Sequence, residues 1–174
     1  MQTKLIFGIV FIMVFSSCQL NQNDLLIKFC QGEIDEHGVP CGYLNSKGDT
    51  LIPMGMYSYC YTDTIRTMGM VIEKGTGKII GIDQHAQKLF EVFNYDNGPD
   101  YVRSGLFRIK KNGKIGYANE QGEIIIEPRF ECAYPFKGKF ARVSDNCSTI
   151  TNGEHSVWVS NSWYQITKNG MRVN

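Results

Sequence analysis

The chain has 174 residues, 43% hydrophobic and 20% charged, with 18 Lys and Arg against 17 Asp and Glu. That length fits one domain or one repeat array, and folding at this size buries roughly 68–70% of the unfolded surface, so disulfides are optional for stability. The near-neutral balance lacks the basic excess that drives binding to nucleic acid, and no nucleic-acid partner is expected.

Residues 1–18 read MQTKLIFGIVFIMVFSSC. Lys4 precedes an apolar run from Leu5 to Phe15, too short for a membrane span, which needs about 20 residues. Small Ser16 and Ser17 then lead into Cys18. A cation, a short apolar stretch and small residues predict a secretory leader over 1–17. The cysteine directly after two serines resembles the bacterial lipoprotein signal, which implies acylation of Cys18 and membrane attachment through the lipid. One departure is Phe15, where that family most often has Leu. Polar QLNQND follows, giving an anchor and tether over 18–29. No Asp follows Cys18, so the resemblance favours an outer-membrane anchor, facing either the periplasm or the surface. Removing the leader takes Lys4 and no acid, leaving a neutral mature chain.

Five further cysteines remain: Cys30, Cys41, Cys60, Cys132 and Cys147. An odd number leaves at least one thiol unpaired. An oxidising envelope permits disulfides, but spacing does not dictate connectivity. Cys132 and Cys147 flank one strand-and-loop segment and are the preferred pair, while Cys60 reads as a small buried hydrophobe. No CxxC pair supports a zinc or redox site.

From residue 42 onward the chain repeats itself. GMVIEKGTGKIIGID from Gly69 aligns without a gap on GLFRIKKNGKIGYAN from Gly105, a shift of 36. An earlier copy begins GYLNSKGDTLIP at Gly42, and a partial last copy, WYQITKNGMRV, follows a longer insertion. Runs of Ile, Val, Phe and Tyr bounded by Gly, Asn, Asp and Pro predict β-strands, and no stretch holds a helical period for three turns. Gly48 and Gly122 supply positive φ at hairpin turns. Pro53 and Pro128 are expected to stop the strands they follow, because proline cannot donate to a ladder. One meander cannot bury both faces alone, so neighbouring units must cover it.

These residues resemble the bacterial WG-repeat family, whose unit runs GK-x-G-aromatic-Ile-Asp, a turn glycine, an apolar strand ending in Pro, an aromatic pair, then Gly-x-Ala-x-Val. GKIGYANEQGEIIIEPRF followed by AYPFKGKFARV matches best. Tyr43 and Tyr117 replace the signature Trp, and the second copy has Gly81 there and lacks the turn glycine. The chain is also similar to lipoproteins of the Bacteroides group that carry FEVFNYDNGPDYVRSGLFRI. The resemblance implies an all-β domain over 30–174, built of three-stranded units stacked as an open array, with propeller-like or barrel-like closure as the alternative. It implies architecture more than chemistry, since no general catalytic activity attaches to the family.

Direct searches for chemistry are negative. GTGKIIG at Gly75–Gly81 has neither dinucleotide nor P-loop spacing and sits in a hairpin repeat. His37, His85 and His155 are isolated, so no metal is expected. No nucleophile elbow accompanies Ser156, Glu120, Glu123, Glu127 and Glu131 read as a solvated face, and no cofactor is expected. Only the stretch from Phe90 to Phe107 exceeds the needs of the repeat. Its clustered rings and charges are the material of binding surfaces. Phe93, Tyr95, Asp96, Asp100 and Tyr101 are therefore the candidate binding residues, for a protein or glycan ligand. The same residues also make ordinary core rings and a turn. The expected function is a non-catalytic envelope binding or scaffolding module. The rival class is an envelope hydrolase using Glu91, Asp96 or Asp100, and a toxin-neutralising lipoprotein remains within the binding class.

Overall fold

The computed structural model describes residues 25–32, 38–153 and 155–173. The leader, Cys18 and His37 lie outside the described residues.

The strands in chain order are β1 (Leu26–Cys30), β2 (Cys41–Leu44), β3 (Thr50–Ile52), β4 (Tyr59–Cys60), β5 (Thr64–Ile65), β6 (Gly69–Ile72) and β7 (Ile79–Ile82). They continue as β8 (Lys88–Val92), β9 (Asn94–Tyr95), β10 (Gly98–Pro99), β11 (Phe107–Lys111), β12 (Lys114–Ala118) and β13 (Ile124–Phe130). The last are β14 (Cys132–Ala133), β15 (Phe140–Ser144), β16 (Ser148–Asn152), β17 (His155–Val159), β18 (Tyr164–Thr167) and β19 (Arg172–Val173). The described chain is all β, and every pairing is antiparallel. A central seven-stranded sheet has the order β13-β12-β11-β8-β7-β6-β4. Sheet β3-β2-β1-β5 interleaves with it at β4, which precedes β5 in the chain, and sheet β14-β15-β18-β19 follows it in sequence. None of these sheets closes into a barrel. The second and third units join edge to edge through β8 and β11, so their backbone groups pair without a break.

The repeat is visible in the hydrogen bonds. Asn45, Asp83 and Asn119 each turn the chain after a strand, with the side-chain oxygen accepting from the backbone two and four residues on. This Asx geometry closes the turn locally. Three residues after each, Gly48, Ala86 and Gly122 have φ of 88°, 60° and 86°. The last unit repeats the step with Thr167 and Gly170, whose φ is 80°. Ala86 is thus held in the left-handed region where the second copy lost its glycine. Tyr43 and Tyr117 are fully buried, and each hydroxyl donates 2.7 Å to a backbone carbonyl, of Thr62 and Tyr134 respectively. In the second unit the ring of Phe90 lies over Gly81, where a Cβ would meet it at 2.7 Å. The missing aromatic is therefore supplied from the neighbouring strand.

Pro128 does not end its strand. β13 runs through it to Phe130, because β13 is an edge strand and the register shifts there between Ile115 and Tyr117 of β12. A bulge on an edge spares proline the missing donor. The kinked backbone comes so close to Gly116 that a Cβ there would lie 2.4 Å from the Ile126 carbonyl. Pro53 does follow the end of β3.

Three apolar clusters form the core. One joins β1, β2 and β3 to one face of β6 and β7, through Leu26, Tyr43, Ile52, Val71 and Ile82. A second occupies the middle of the central sheet with Phe90, Val92, Phe107 and Ile109. The third joins β12 and β13 to the C-terminal sheet through Tyr117, Phe130, Phe136, Val143 and Ile166. Cys30 bonds to Cys41, and Cys132 bonds to Cys147 with a Cα–Cα distance of 5.9 Å. Cys60 is unpaired and buried, and burial pushes its thiol pKa up, which keeps the sulfur protonated and inert.

Candidate ligand-binding site

β8 ends at Val92 and the chain leaves the sheet as a small hairpin, β9 and β10. Asp96 and Asn97 form its two-residue turn with φ of 50° and 61°, conformations that Asp and Asn tolerate better than other side chains. Gly98 follows at the first position of β10. The hairpin carries Tyr95 outward, and Tyr101 meets it edge to face with ring centroids 5.9 Å apart. Both rings stay exposed, at 49% and 55%. Phe93 at the base is half-buried and packs edge to face on Trp158, at 5.9 Å.

Beneath the rings is a buried ion pair. Asp100 and Arg108 are 4% and 3% exposed. Arg108 donates from Nε to one carboxylate oxygen at 2.9 Å and from Nη2 to the other at 2.5 Å. Its backbone N–H donates to Asp100 as well, and Nη1 reaches the carbonyl of Ala133. The guanidinium also lies 4.1 Å from the centre of the Phe93 ring. Such bidentate, stacked geometry is what lets a charge pair survive desolvation. It locks the 93–100 segment onto β11 and engages both oxygens of Asp100.

The rings and the ion pair line a cavity of about 460 Å³. Its far wall comes from Tyr134, Pro135 and the hairpin β16–β17, with Ser156, Val157 and Trp158. Trp158 is held 5.3 Å from Tyr134. The disulfide Cys132–Cys147 ties the foot of that hairpin to β14. Among the candidate residues, Phe93, Tyr95, Asp100 and Tyr101 converge on this cavity, whereas Asp96 sits at the exposed hairpin turn and does not line it. Glu91 does not line the cavity either and is paired to Lys78 at 2.7 Å. Tyr134 and Trp158 were not singled out from the sequence. Trp158 belongs to the longer insertion before the last repeat, and Tyr134 to the aromatic pair of the third copy. Among the described residues no group of three His, Cys, Asp or Glu side chains could hold a metal ion.

Residues 115–146 match the family model of the WG containing repeat. The match runs from β12 through β15, so it takes in Gly116, buried Tyr117, the Asn119 turn and the bulged β13. The WG-type unit thus supplies Tyr134 and Pro135 to the cavity wall, while the hairpins β9–β10 and β16–β17 are additions outside it. No curated protein and no solved structure matches the chain.

Proposed function

We propose that the chain is a non-catalytic binding or scaffolding module of the bacterial envelope, a WG-type β-repeat array attached to the outer membrane through acylated Cys18. One observation carries the binding role: Tyr95 and Tyr101 stand exposed at the mouth of an aromatic cavity, over a buried ion pair that makes their platform rigid. Large apolar rings left in water have a hydration cost that a partner relieves, and aromatic residues with Arg dominate binding hot spots. A hydrolase through Asp100 is disfavoured because both its oxygens are committed to Arg108.

The test is capture from envelope extract by the chain from residue 22 onward, compared with a Tyr95→Ala, Tyr101→Ala variant. The variant should lose capture with a melting midpoint near that of the wild type. A stability loss of about 3 kcal/mol or more would instead assign the rings to the core. Undiminished capture would move the binding surface elsewhere.

A further inference from the structure

We infer that the aromatic cavity and the cavity beside it form one groove for an acidic polysaccharide; this rests on the binding role proposed above and names its ligand class. The second cavity, of about 830 Å³, shares Arg103, Tyr134 and Pro135 with the first. The two therefore adjoin at Arg103, Tyr134 and Pro135. The first half is a set of rings. The second half adds Lys137 and Arg142 to Arg103, and all three cations are exposed. None of the three has an ion-pair partner or a side-chain hydrogen bond among the described residues, so their N–H donors are open to an anion. Asp100 is the one carboxylate on either wall among the described residues, and Arg108 neutralises it. Two of the free cations are held in place by rings: Arg142 lies 4.4 Å from the centre of Trp163 and Arg103 lies 5.7 Å from that of Tyr101. Stacking on a ring fixes the guanidinium plane while leaving its edge to meet an anion.

A polymer whose repeating unit offers an apolar ring face and a carboxylate suits both halves. A pyranose stacks its C–H face on Tyr95 or Tyr101, and the uronate carboxylates further along meet Arg103, Lys137 and Arg142. An acidic peptide fits less well. The floor under the cations is the face of β15 and β18, whose backbone groups are already paired to each other at Arg142 and Gln165, so an extended peptide finds no free ladder edge. Nucleic acid needs a broader basic field than a near-neutral chain provides.

Isothermal titration of the full-length protein with polygalacturonate, dextran, polyglutamate and oligothymidylate tests this. Polygalacturonate should bind, with the other three weaker by about tenfold or more. Raising salt from about 0.05 to 0.3 M should weaken it, because exposed charges are screened over a Debye length. The variant Arg103→Gln, Lys137→Gln, Arg142→Gln should lose about tenfold or more in affinity while melting with the wild type, as all three side chains are exposed. Equal or tighter binding of polyglutamate or oligothymidylate would replace the ligand class with peptide or nucleic acid. Polygalacturonate binding that ignores the triple variant, or no binding at all, would overturn the inference. If polygalacturonate fails while capture still depends on Tyr95 and Tyr101, the ligand class falls and the binding role stands. If both fail, the binding role falls too.

Discussion

Two positions that occupy the same step of the turn make opposite predictions. Gly122 has φ +86° and already faces Leu89 and Met68, with an added Cβ only 2.9 Å from the Leu89 side chain. Gly122→Val should therefore cost at least about 1–2 kcal/mol through backbone strain, with the clash adding to it. Ala86 occupies the equivalent step at φ 60° without a glycine. Ala86→Gly should gain about 0.5–1 kcal/mol, since relief of left-handed strain exceeds the extra chain entropy glycine loses. Urea unfolding of the two variants measures both, and a shift of the same sign would refute the shared turn. The tyrosines set the alkaline limit. Burial holds the phenols of Tyr43 and Tyr117 far above their usual range, and burial plus the Asp145 carboxylate that accepts its hydroxyl pushes Tyr164 up to about 12. The folded chain thus keeps protons that the unfolded chain releases near pH 10. Stability should be intact below about pH 10 and fall as pH rises from there towards 12. Melting midpoints recorded across that window, with Tyr164→Phe showing a shallower decline, check the sign.

The hairpin β9–β10 is a separate element grafted between two strands of the sheet, and the Asp100–Arg108 pair is its fastening. Asp100→Asn removes the charge that compensates a guanidinium buried to 3% exposure, and should destabilise by about 3–5 kcal/mol. An enzyme using Asp100 as acid or nucleophile predicts the reverse, lost turnover with stability intact, so chemical denaturation of this one variant separates the two classes. How far the element could be read from sequence differs along its length. Asp96-Asn97-Gly98 marks a turn through its residue types, and alternation places Phe93 and Tyr95 on one side of the strand. The partner of Asp100 is another matter. Arg103 and Arg108 both follow within eight residues, and only the β8–β11 pairing brings the second to the carboxylate and leaves the first in solvent. Pro128 failed as a strand terminator for a similar reason: whether a strand is an edge, where proline is tolerated, depends on its neighbours and not on its own residues.

For the whole molecule, the anchor proposal predicts that Cys18→Ser leaves an unacylated protein that no longer follows the membrane into detergent. An unchanged mass and membrane fraction for that variant would reject the anchor. Read alone, the sequence specifies an all-β, repetitive chain with hairpin turns at Gly48 and Gly122. Those properties rest on local rules: strand propensity, the period of the pattern, and side chains that bond their own backbone within four residues. It also marked the 90–107 segment, because excess rings and charges are visible in composition alone. Tertiary structure decided the rest. It joined the second and third units into one sheet, put Phe90 over Gly81, and brought the hairpin carrying Trp158 across to Phe93 from 65 residues away in the chain. It also set Arg103, Lys137 and Arg142 around one groove while giving Arg108 a carboxylate of its own. Contacts between residues so distant in sequence depend on which faces the packed sheets bury together, and no local pattern of residues encodes that.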